Sequence, residues 1–290
     1  MSAAWWLGLL LAVLRLSVPY VMAALGGTVC ERAGVINIAL EGFLLISALG
    51  TALGASHGAL AAVGCGLAAG VAFAGLYALA VVVLRGDQIV SGVALFMLAD
   101  GLSRVLLKAV YGSTSNSPRL AALDGHGPAL FLLAAVFLIA ILHVFLYFSV
   151  LGLRLRAVGE RPQAARALGV SVLQVRGIAV LLSGLLTSIG GVYLVFEQRQ
   201  FVALMSGGRG FLALAAMIFG GWRPVWGAAA ALLFATAEAT GIFLQARGLL
   251  IPNWILQSVP YVLTLLTLLL RGLLGKNHST APLSLGVPRL

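Results

Sequence analysis

The stretch ALFLLAAVFLIAILHVFLYFS, residues 129–149, decides the fold class. It carries no Asp, Glu, Lys or Arg over the roughly 20 residues that an α-helix needs to cross the hydrocarbon core of a bilayer. We interpret His143 as a packed side chain rather than a metal ligand, because the other histidines are far from it in sequence. The stretch therefore predicts a membrane-spanning helix.

Similar apolar segments recur on both sides of this stretch, and they predict an all-α polytopic membrane protein with about nine (8–10) transmembrane helices. Segment 200–221 is the weakest, because Arg209 lies in the run Gly207–Gly210, which should break the helix. Broken helices occur at membrane depth only where protein or a water-filled path surrounds them. The predicted spans are 7–25, 35–56, 59–84, 88–110, 129–149, 177–197, 200–221, 224–246 and 254–271.

The composition agrees with a membrane protein, since 61% of the residues are hydrophobic and 9% are charged. A soluble domain is typically about 45–50% apolar and about 25% charged, so the excess apolar surface must face lipid. The formal charge of +10 would suggest nucleic acid in a soluble protein. Here the basic residues cluster in short loops and towards the C-terminus, as the positive-inside rule expects, and we predict no nucleic-acid partner.

The arginines predict the orientation of the chain. The loop 150–176 contains five arginines and one acidic residue, Glu160, so we predict that it is cytoplasmic. Counting spans from this loop places the C-terminus inside and the N-terminus outside. We predict one transmembrane domain over 1–274 and a cytoplasmic tail over 275–290. The tail is polar and contains two prolines, which predicts disorder.

Catalytic and metal-binding motifs do not occur in the sequence. No stretch fits the phosphate-binding loop G-x-x-x-x-G-K-[ST], the zinc motif H-E-x-x-H or the nucleophile elbow G-x-S-x-G. Cys30 and Cys65 lack metal-ligand spacing. We therefore predict no catalytic residue, metal or cofactor in this chain, and any ATP that it uses must be hydrolysed by another subunit.

The segment CERAGVINIALEG, residues 30–42, places polar side chains between two predicted spans. Asn37 and Glu41 are four residues apart and share one helix face, so we predict an inward-facing polar position for both. Glu31 and Arg32 either pair with each other or with another span, or lie in a cytoplasmic turn.

Other residues within the predicted spans also suggest contacts. Glu238 is a lone carboxylate that either lines a polar path or pairs with an arginine of a neighbouring span. Asp100 and Arg104 are four residues apart and predict an ion pair along one helix. Gly66 and Gly70 have the small-xxx-small spacing that permits close helix packing.

The basic loop contains a short predicted helix. Pro162 suits its first turn, good helix formers follow, and Gly169 suits its C-terminal cap. Such a helix can dock into a groove of a soluble partner. The alternative is an ordinary basic loop held by lipid headgroups.

Several stretches resemble one family, in order, over nearly the whole membrane portion. They are ERAGVINIALEGFLL at 31–45, DQIVSGVAL at 87–95, GRGFLALAAMIFGGWRPVWGAAAALLFATAEA at 208–239 and PYVLTLLTLLL at 260–270. The chain resembles permeases of the branched-chain amino acid, simple sugar and nucleoside ABC importer superfamily. The wording GVINIALEG is most similar to the nucleoside (purine nucleoside) permeases.

The resemblance implies the permease subunit of an ATP-driven importer in the bacterial cytoplasmic (inner) membrane, which moves a nucleoside-like solute by alternating access. It implies an ABC ATPase subunit that binds ATP and Mg²⁺, a homologous second permease subunit and an extracytoplasmic solute-binding protein, all acting among membrane lipids. It also implies that the loop helix is a coupling helix that contacts the ATPase through Gly159, Glu160, Pro162, Ala165, Ala167 and Gly169.

A nucleoside path needs polar groups for the ribose and an apolar or aromatic wall for the base. The candidate polar set is Asn37, Glu41, Gln88, Ser91 and Glu238. We expect Glu41→Ala to impair uptake without preventing assembly, and Glu160→Ala or Gly169→Trp to uncouple ATP hydrolysis from transport. The alternatives are a permease for simple sugars or branched-chain amino acids, a stand-alone secondary transporter, and a membrane enzyme.

Overall fold

The computed structural model describes residues 3–123, 129–246 and 281–287, together with six separate positions between 258 and 269. Ten α-helices and no strand lie in these parts of the chain, and one isolated antiparallel bridge joins Asn116 to Val202. The helices are α1 (Ala3–Arg32), α2 (Leu40–Gly54), α3 (Ala59–Ala78), α4 (Gln88–Tyr111), α5 (Ala129–Phe148), α6 (Val150–Glu160), α7 (Pro162–Ala167), α8 (Val172–Gln198), α9 (Arg209–Phe219) and α10 (Pro224–Ala246).

Six of these helices are long and apolar enough to cross a membrane: α1, α3 with its π-helical extension to Val83, α4, α5, α8 and α10. The prediction of an all-α multi-pass membrane protein is therefore confirmed. The count of about nine spans is not confirmed for the described residues, because α2 has only 15 residues and α9 only 11. The predicted span 254–271 lies largely outside the described residues.

Two irregular stretches explain why α2 and α9 are short. Residues 33–39 form a non-helical turn before α2, and Gly34 has a φ of +87° there. Before α9, Leu204, Gly207 and Gly208 all have positive φ, so the chain cannot continue as a right-handed helix and α9 begins only at Arg209. The break predicted at 207–210 is confirmed, and the predicted spans 35–56 and 200–221 are too long at their N-terminal ends.

Helix α8 lies at the centre and packs against α1, α2 and α3, whereas α9 packs against α1 and α10. The apolar window of α8 is 72% buried, compared with 17% for α4 and for α5, so these two helices lie at the periphery. The close packing predicted for Gly66 and Gly70 is confirmed. A methyl group at either position would clash with Thr51 or Ser188 on the neighbouring helices.

Several helix ends and turns meet at one end of the bundle, which we call the loop end. It contains α6, α7, the turn 33–39 and the α9–α10 turn at 220–223. Arg32 donates to the carbonyls of Gly221 (3.2 Å) and Trp222 (2.8 Å). Gly159 of α6 packs so closely on the Arg32 carbonyl that no side chain fits there. The arginine-rich loop and the end of α1 are thus one packed unit.

Residues 281–287 also dock at the loop end. The backbone N–H of Ser284 donates to the Gly159 carbonyl at 2.9 Å, and its hydroxyl donates to the same oxygen at 2.7 Å. Arg176 donates to the Val287 carbonyl at 3.2 Å. The disorder predicted for the tail 275–290 is therefore wrong for residues 281–287, because buried hydrogen bonds hold them.

Candidate functional site

The N-terminus of α9 meets the first turn of α2 inside the bundle. One carboxylate oxygen of Glu41 accepts from the N–H of Gly208 at 2.7 Å, and the other accepts from the N–H of Gly210 at 2.6 Å. Glu41 is only 2% exposed. A helix N-terminus presents unpaired N–H groups and partial positive charge, which a carboxylate satisfies. Glu41 thus caps α9 and joins two helices that are each too short to cross the bilayer.

Arg209 and Glu238 form an ion pair beside this cap. The Arg209 guanidinium donates to both Glu238 oxygens, at 2.5 Å from Nη2 and 3.4 Å from Nε. The Tyr20 hydroxyl donates to Glu238 at 2.8 Å. Of the two interpretations of Glu238, the pairing with an arginine is confirmed. The second interpretation, that Glu238 lines a path, stays a prediction.

Asn37 and Gln88 fix the turn before α2. Asn37 is fully buried; its amide donates to the Ser183 hydroxyl at 2.8 Å, and its oxygen accepts from the N–H of Ala39. The Gln88 oxygen accepts from the N–H of Ile36 at 2.7 Å. The predicted inward positions of Asn37 and Glu41 are therefore confirmed, and both side chains have internal partners. The shared helix face is wrong, because Asn37 lies in the non-helical turn and only Glu41 lies on α2.

Ser91 lies apart from these residues. It is half-buried in the first turn of α4, where its hydroxyl approaches Gly86. The structure thus places Arg209 between the two N–H groups that Glu41 accepts from and pairs it with Glu238. Asn37 lies in the turn before α2, Gln88 of α4 bonds that turn, and Ser91 lies three residues further along α4. A solute-pathway role for any of the five stays a prediction.

One face of α4 combines aromatic and charged side chains at intervals of four residues. Phe96 stacks edge-to-face on Phe211 of α9, with ring centroids 5.5 Å apart. One helical turn further on, Arg104 donates to Asp100 at 3.0 Å, which confirms the predicted pair. These two charged side chains remain 44% and 29% exposed. An exposed ion pair in the middle of an apolar helix is costly against lipid, so this face suits water or a polar partner.

Glu31 and Arg32 do not bond to each other. Glu31 accepts from the indole N–H of Trp222 at 2.6 Å, while Arg32 bonds the carbonyls of that same turn. Of the options left open by the sequence, both residues contact the α9–α10 turn at the loop end. They clamp the end of α1 to that turn.

The short helix predicted in the basic loop is present as α7, with Pro162 at its first position and Gly169 in the left-handed region at a φ of +80°. Pro162 and Ala165 are buried, and Ala165 packs with Val158 and Val172. Gly159 is buried on α1, whereas Glu160 is half-buried and accepts from the N–H of Leu283 at 3.3 Å. These residues form the base on which α7 stands.

Ala167 and Gly169 are exposed at the other side of α7, beside Leu168, which is 85% exposed. The predicted coupling set therefore divides into a buried base and an exposed tip. Contact between this tip and an ATPase stays a prediction. Leu168 was missed because an apolar residue in a short helix gives no sequence signal for exposure.

The chain was compared with protein-family models and with characterised proteins. Residues 9–269 match the family described as the permease component of the branched-chain amino acid transport system. The guanosine ABC transporter permease protein NupQ of Bacillus subtilis is 36% identical over 96% of this chain and 94% of its own length. The nucleoside ABC transporter permease protein NupC of Lactococcus lactis is 35% identical over 93% of each chain.

A further relative is the putative glucose ABC transporter permease protein TsgC13 of Haloferax volcanii, which is 34% identical over 89% of this chain and 85% of its own length. No solved structure matches the chain. The family match and the identities show that the chain belongs to the permease components of the branched-chain amino acid transport system family.

Proposed function

We propose that this permease is the membrane-spanning subunit of an ATP-driven importer that carries a nucleoside-like solute into the cell by alternating access. The observation that carries the proposal is the near full-length similarity to two bacterial permeases whose names specify guanosine and nucleosides. The sequence GVINIALEG, residues 34–42, supports it independently of those names.

The transmembrane domain spans 1–274, including the last span at 254–271, and works in the bacterial inner membrane with the loop end and the C-terminus in the cytoplasm. The arginines of the loop 150–176 and Arg223 support this orientation, because they lie together at the loop end. The partners are an ATPase subunit that binds ATP and Mg²⁺, a homologous second permease and an extracytoplasmic solute-binding protein.

Coupling starts at the exposed tip of α7, residues 167–169, which docks on the ATPase. The base of α7 rests on Gly159, Gly159 rests on the Arg32 carbonyl, and Arg32 holds the α9–α10 turn. A movement of α7 is therefore transmitted to α1, α9 and α10 through packed contacts. Because packed elements shift as units, this route can rock one part of the bundle against the other.

The solute path runs along the α4–α9 face. Phe96 and Phe211 supply the aromatic wall that a nucleobase can stack on, and Asp100 with Arg104 supplies polar groups further along the same face. This wall is positioned indirectly by four buried or partly buried polar residues that do not contact the solute. They hold the turn before α2 and the N-terminus of α9, and they are Asn37, Glu41, Gln88 and Glu238. The second permease subunit closes the other side.

The path assignment predicts a specific kinetic defect. Phe211→Ala removes one stacking surface and is expected to raise the KM for nucleoside uptake about fivefold, while the protein remains stable. Phe137→Ala, which changes an exposed phenylalanine on α5, is the matched control. An unchanged KM in Phe211→Ala would remove this face from the path.

The function is tested by reconstituting the chain in vesicles with the proposed partner proteins, namely the second permease, the ATPase and the solute-binding protein. ATP-dependent uptake of radiolabelled guanosine, glucose and leucine is then measured. Saturable guanosine uptake that disappears without the binding protein supports the proposal. Uptake of glucose or leucine without uptake of guanosine would support an ATP-driven importer but contradict the nucleoside assignment. Transport without ATP would overturn the mechanism.

A further inference from the structure

A cavity of about 650 Å³ opens at the loop end between the end of α1, the end of α5 and the start of α10. Arg32 and Arg223 contribute its basic lining, His143 and Tyr147 of α5 form one wall, and Phe148 and Trp226 form the rim. The volume falls within the range of about 300–1,000 Å³ that is usual for small-molecule sites. Neither the transport path nor the α7 tip includes these residues.

Positive charge is concentrated at this cavity. Arg156 and Arg223 both lie within electrostatic range of Arg32, and the Arg156 guanidinium lies 5.0 Å from the centre of the Tyr147 ring. Among the described residues, none forms an ion pair with any of these three arginines. The Glu160 carboxylate is within electrostatic range of Arg32 but accepts a hydrogen bond from the N–H of Leu283. The cavity therefore suits an anion.

Three polar atoms near this charge are buried without a hydrogen-bond partner in the described structure: the Tyr147 hydroxyl, the Arg156 Nε and the His143 Nδ1. An unpaired buried donor is costly, so such groups usually have a partner. The Arg156 Nε–H and the Tyr147 O–H are donors, and phosphate oxygens are strong acceptors that arginine binds well. Tyr147 lines the cavity, whereas Arg156 lies against the Tyr147 ring outside the lining and adds positive charge, so the cavity suits a phosphate group.

The rim of the cavity distinguishes a lipid from a free anion. Phe148 is 78% exposed and Trp226 is 62% exposed, on two helices that are apolar enough to cross a membrane. Tryptophan is enriched at the membrane interface, and basic pockets between spans on the cytoplasmic side bind anionic headgroups. A free phosphate would make no favourable contact with this apolar rim, whereas the acyl chains of a lipid would pack along it.

We propose that the cavity binds the phosphodiester headgroup of an anionic phospholipid, held by Arg32, Arg223 and the Tyr147 hydroxyl, with its acyl chains against Phe148 and Trp226. The bound lipid joins α1, α5 and α10 where Arg32 also supports Gly159 of α6. It thereby braces the base of the α7 helix from the membrane side.

The test uses the purified protein with its copurifying subunits, stripped of lipid in detergent and titrated with phosphatidylglycerol or phosphatidylcholine of identical acyl chains. Retained lipid is counted by native mass spectrometry. The variants are Arg223→Gln, whose side chain is exposed, and Tyr147→Phe, which removes only an unpartnered hydroxyl. Arg154→Gln is the matched control, because Arg154 is an exposed arginine of the same loop that lines a separate pocket.

We expect wild type and Arg154→Gln to retain phosphatidylglycerol at least tenfold better than phosphatidylcholine. We expect each of the other two variants to lower that retention about fivefold. Equal retention of the two lipids, or unchanged retention in both variants, would overturn the proposal. Displacement of the lipid by millimolar inorganic phosphate would assign the cavity to a free anion instead. Loss of a copurifying subunit from Arg223→Gln, with lipid retention intact, would assign it to protein docking.

Discussion

The polar cluster around Glu41 and the loop end differ in whether their charged side chains are paired within the chain. At the cluster, Glu41 caps α9 and Glu238 pairs with Arg209, so each of these charged groups has a partner inside the chain. At the loop end, three arginines lack an ion pair among the described residues and Leu168 projects outwards. Arg32 still bonds two carbonyls of the α9–α10 turn, so the two regions differ in ion pairing and not in whether every charged group has a hydrogen-bond partner.

The most severe test of this comparison is Glu41→Ala. It leaves two N–H groups of α9 without an acceptor and Arg209 with less negative charge nearby, so we expect a loss of roughly 3 kcal/mol of stability. The yield of assembled protein and its thermal unfolding in detergent measure the effect. Glu197→Ala, at the partly exposed end of α8, is the control.

This expectation differs from the one based on sequence, which was impaired uptake in an assembled complex. The reason is the burial of Glu41 and its two N–H partners. Normal yield and unfolding with lost uptake would restore the pathway role and show that α9 does not need its cap.

The Arg209–Glu238 pair should have the next largest effect. We expect Arg209→Met and Glu238→Leu each to cost about 2 kcal/mol, because each leaves a partly buried charge without its partner. The double variant should lose less than the sum, by a coupling energy of about 2 kcal/mol. Thermal unfolding of the four proteins gives that energy. Simple additivity would mean that the pair contributes nothing as a pair.

The substitution Leu168→Glu tests the loop end, the second of the two regions compared above. A charge on the α7 tip should lower the affinity for the ATPase about tenfold and leave unfolding unchanged, because Leu168 has little to lose within this chain. Copurification and ATPase-coupled uptake provide the readout. Leu60→Glu, at an exposed leucine that begins α3, is the control. Equal ATPase affinity of both variants would place the docking surface elsewhere.

The smallest effect is expected from Ser284→Ala. It removes the hydroxyl that donates to the Gly159 carbonyl, while the Ser284 backbone N–H continues to bond the same oxygen. The cost should be about 1 kcal/mol, with faster hydrogen exchange at the α6–α7 junction. Ser56→Ala, whose exposed hydroxyl bonds only groups close in sequence, the Leu53 carbonyl and the His57 ring, is the control. Unchanged exchange at the junction would show that the tail does not support it.

The sequence predicted those features that depend on local pattern. Apolar length predicted the long helices, Pro162 and Gly169 predicted both ends of the α7 region, and the glycines at 207–210 predicted the break before α9. The sequence did not predict which partner each buried polar group would find. Glu238 and Arg209 are far apart in sequence, and Glu41 bonds backbone groups that carry no residue-specific signal.

The prediction of a disordered tail was wrong for residues 281–287 for a related reason. Its composition is that of a disordered segment, but a few hydrogen bonds to the loop end order residues 281–287. Composition reports the average tendency of a segment and not the presence of a receptor for it. The cavity at the loop end could not be predicted either, because Arg32 at the end of α1, Arg156 in α6 and Arg223 in the α9–α10 turn are far apart in sequence.

The docked tail also sets an order of events during synthesis. Residues 281–287 leave the ribosome after all ten described helices, yet they supply two donors to the Gly159 carbonyl and two of the acceptors of Arg176. The nascent permease can therefore insert its helices before the hydrogen bonds from residues 281–287 to the α6–α7 junction have formed. A chain cut before residue 281 would therefore keep all ten described helices but lack the two hydrogen bonds from Ser284 to the Gly159 carbonyl.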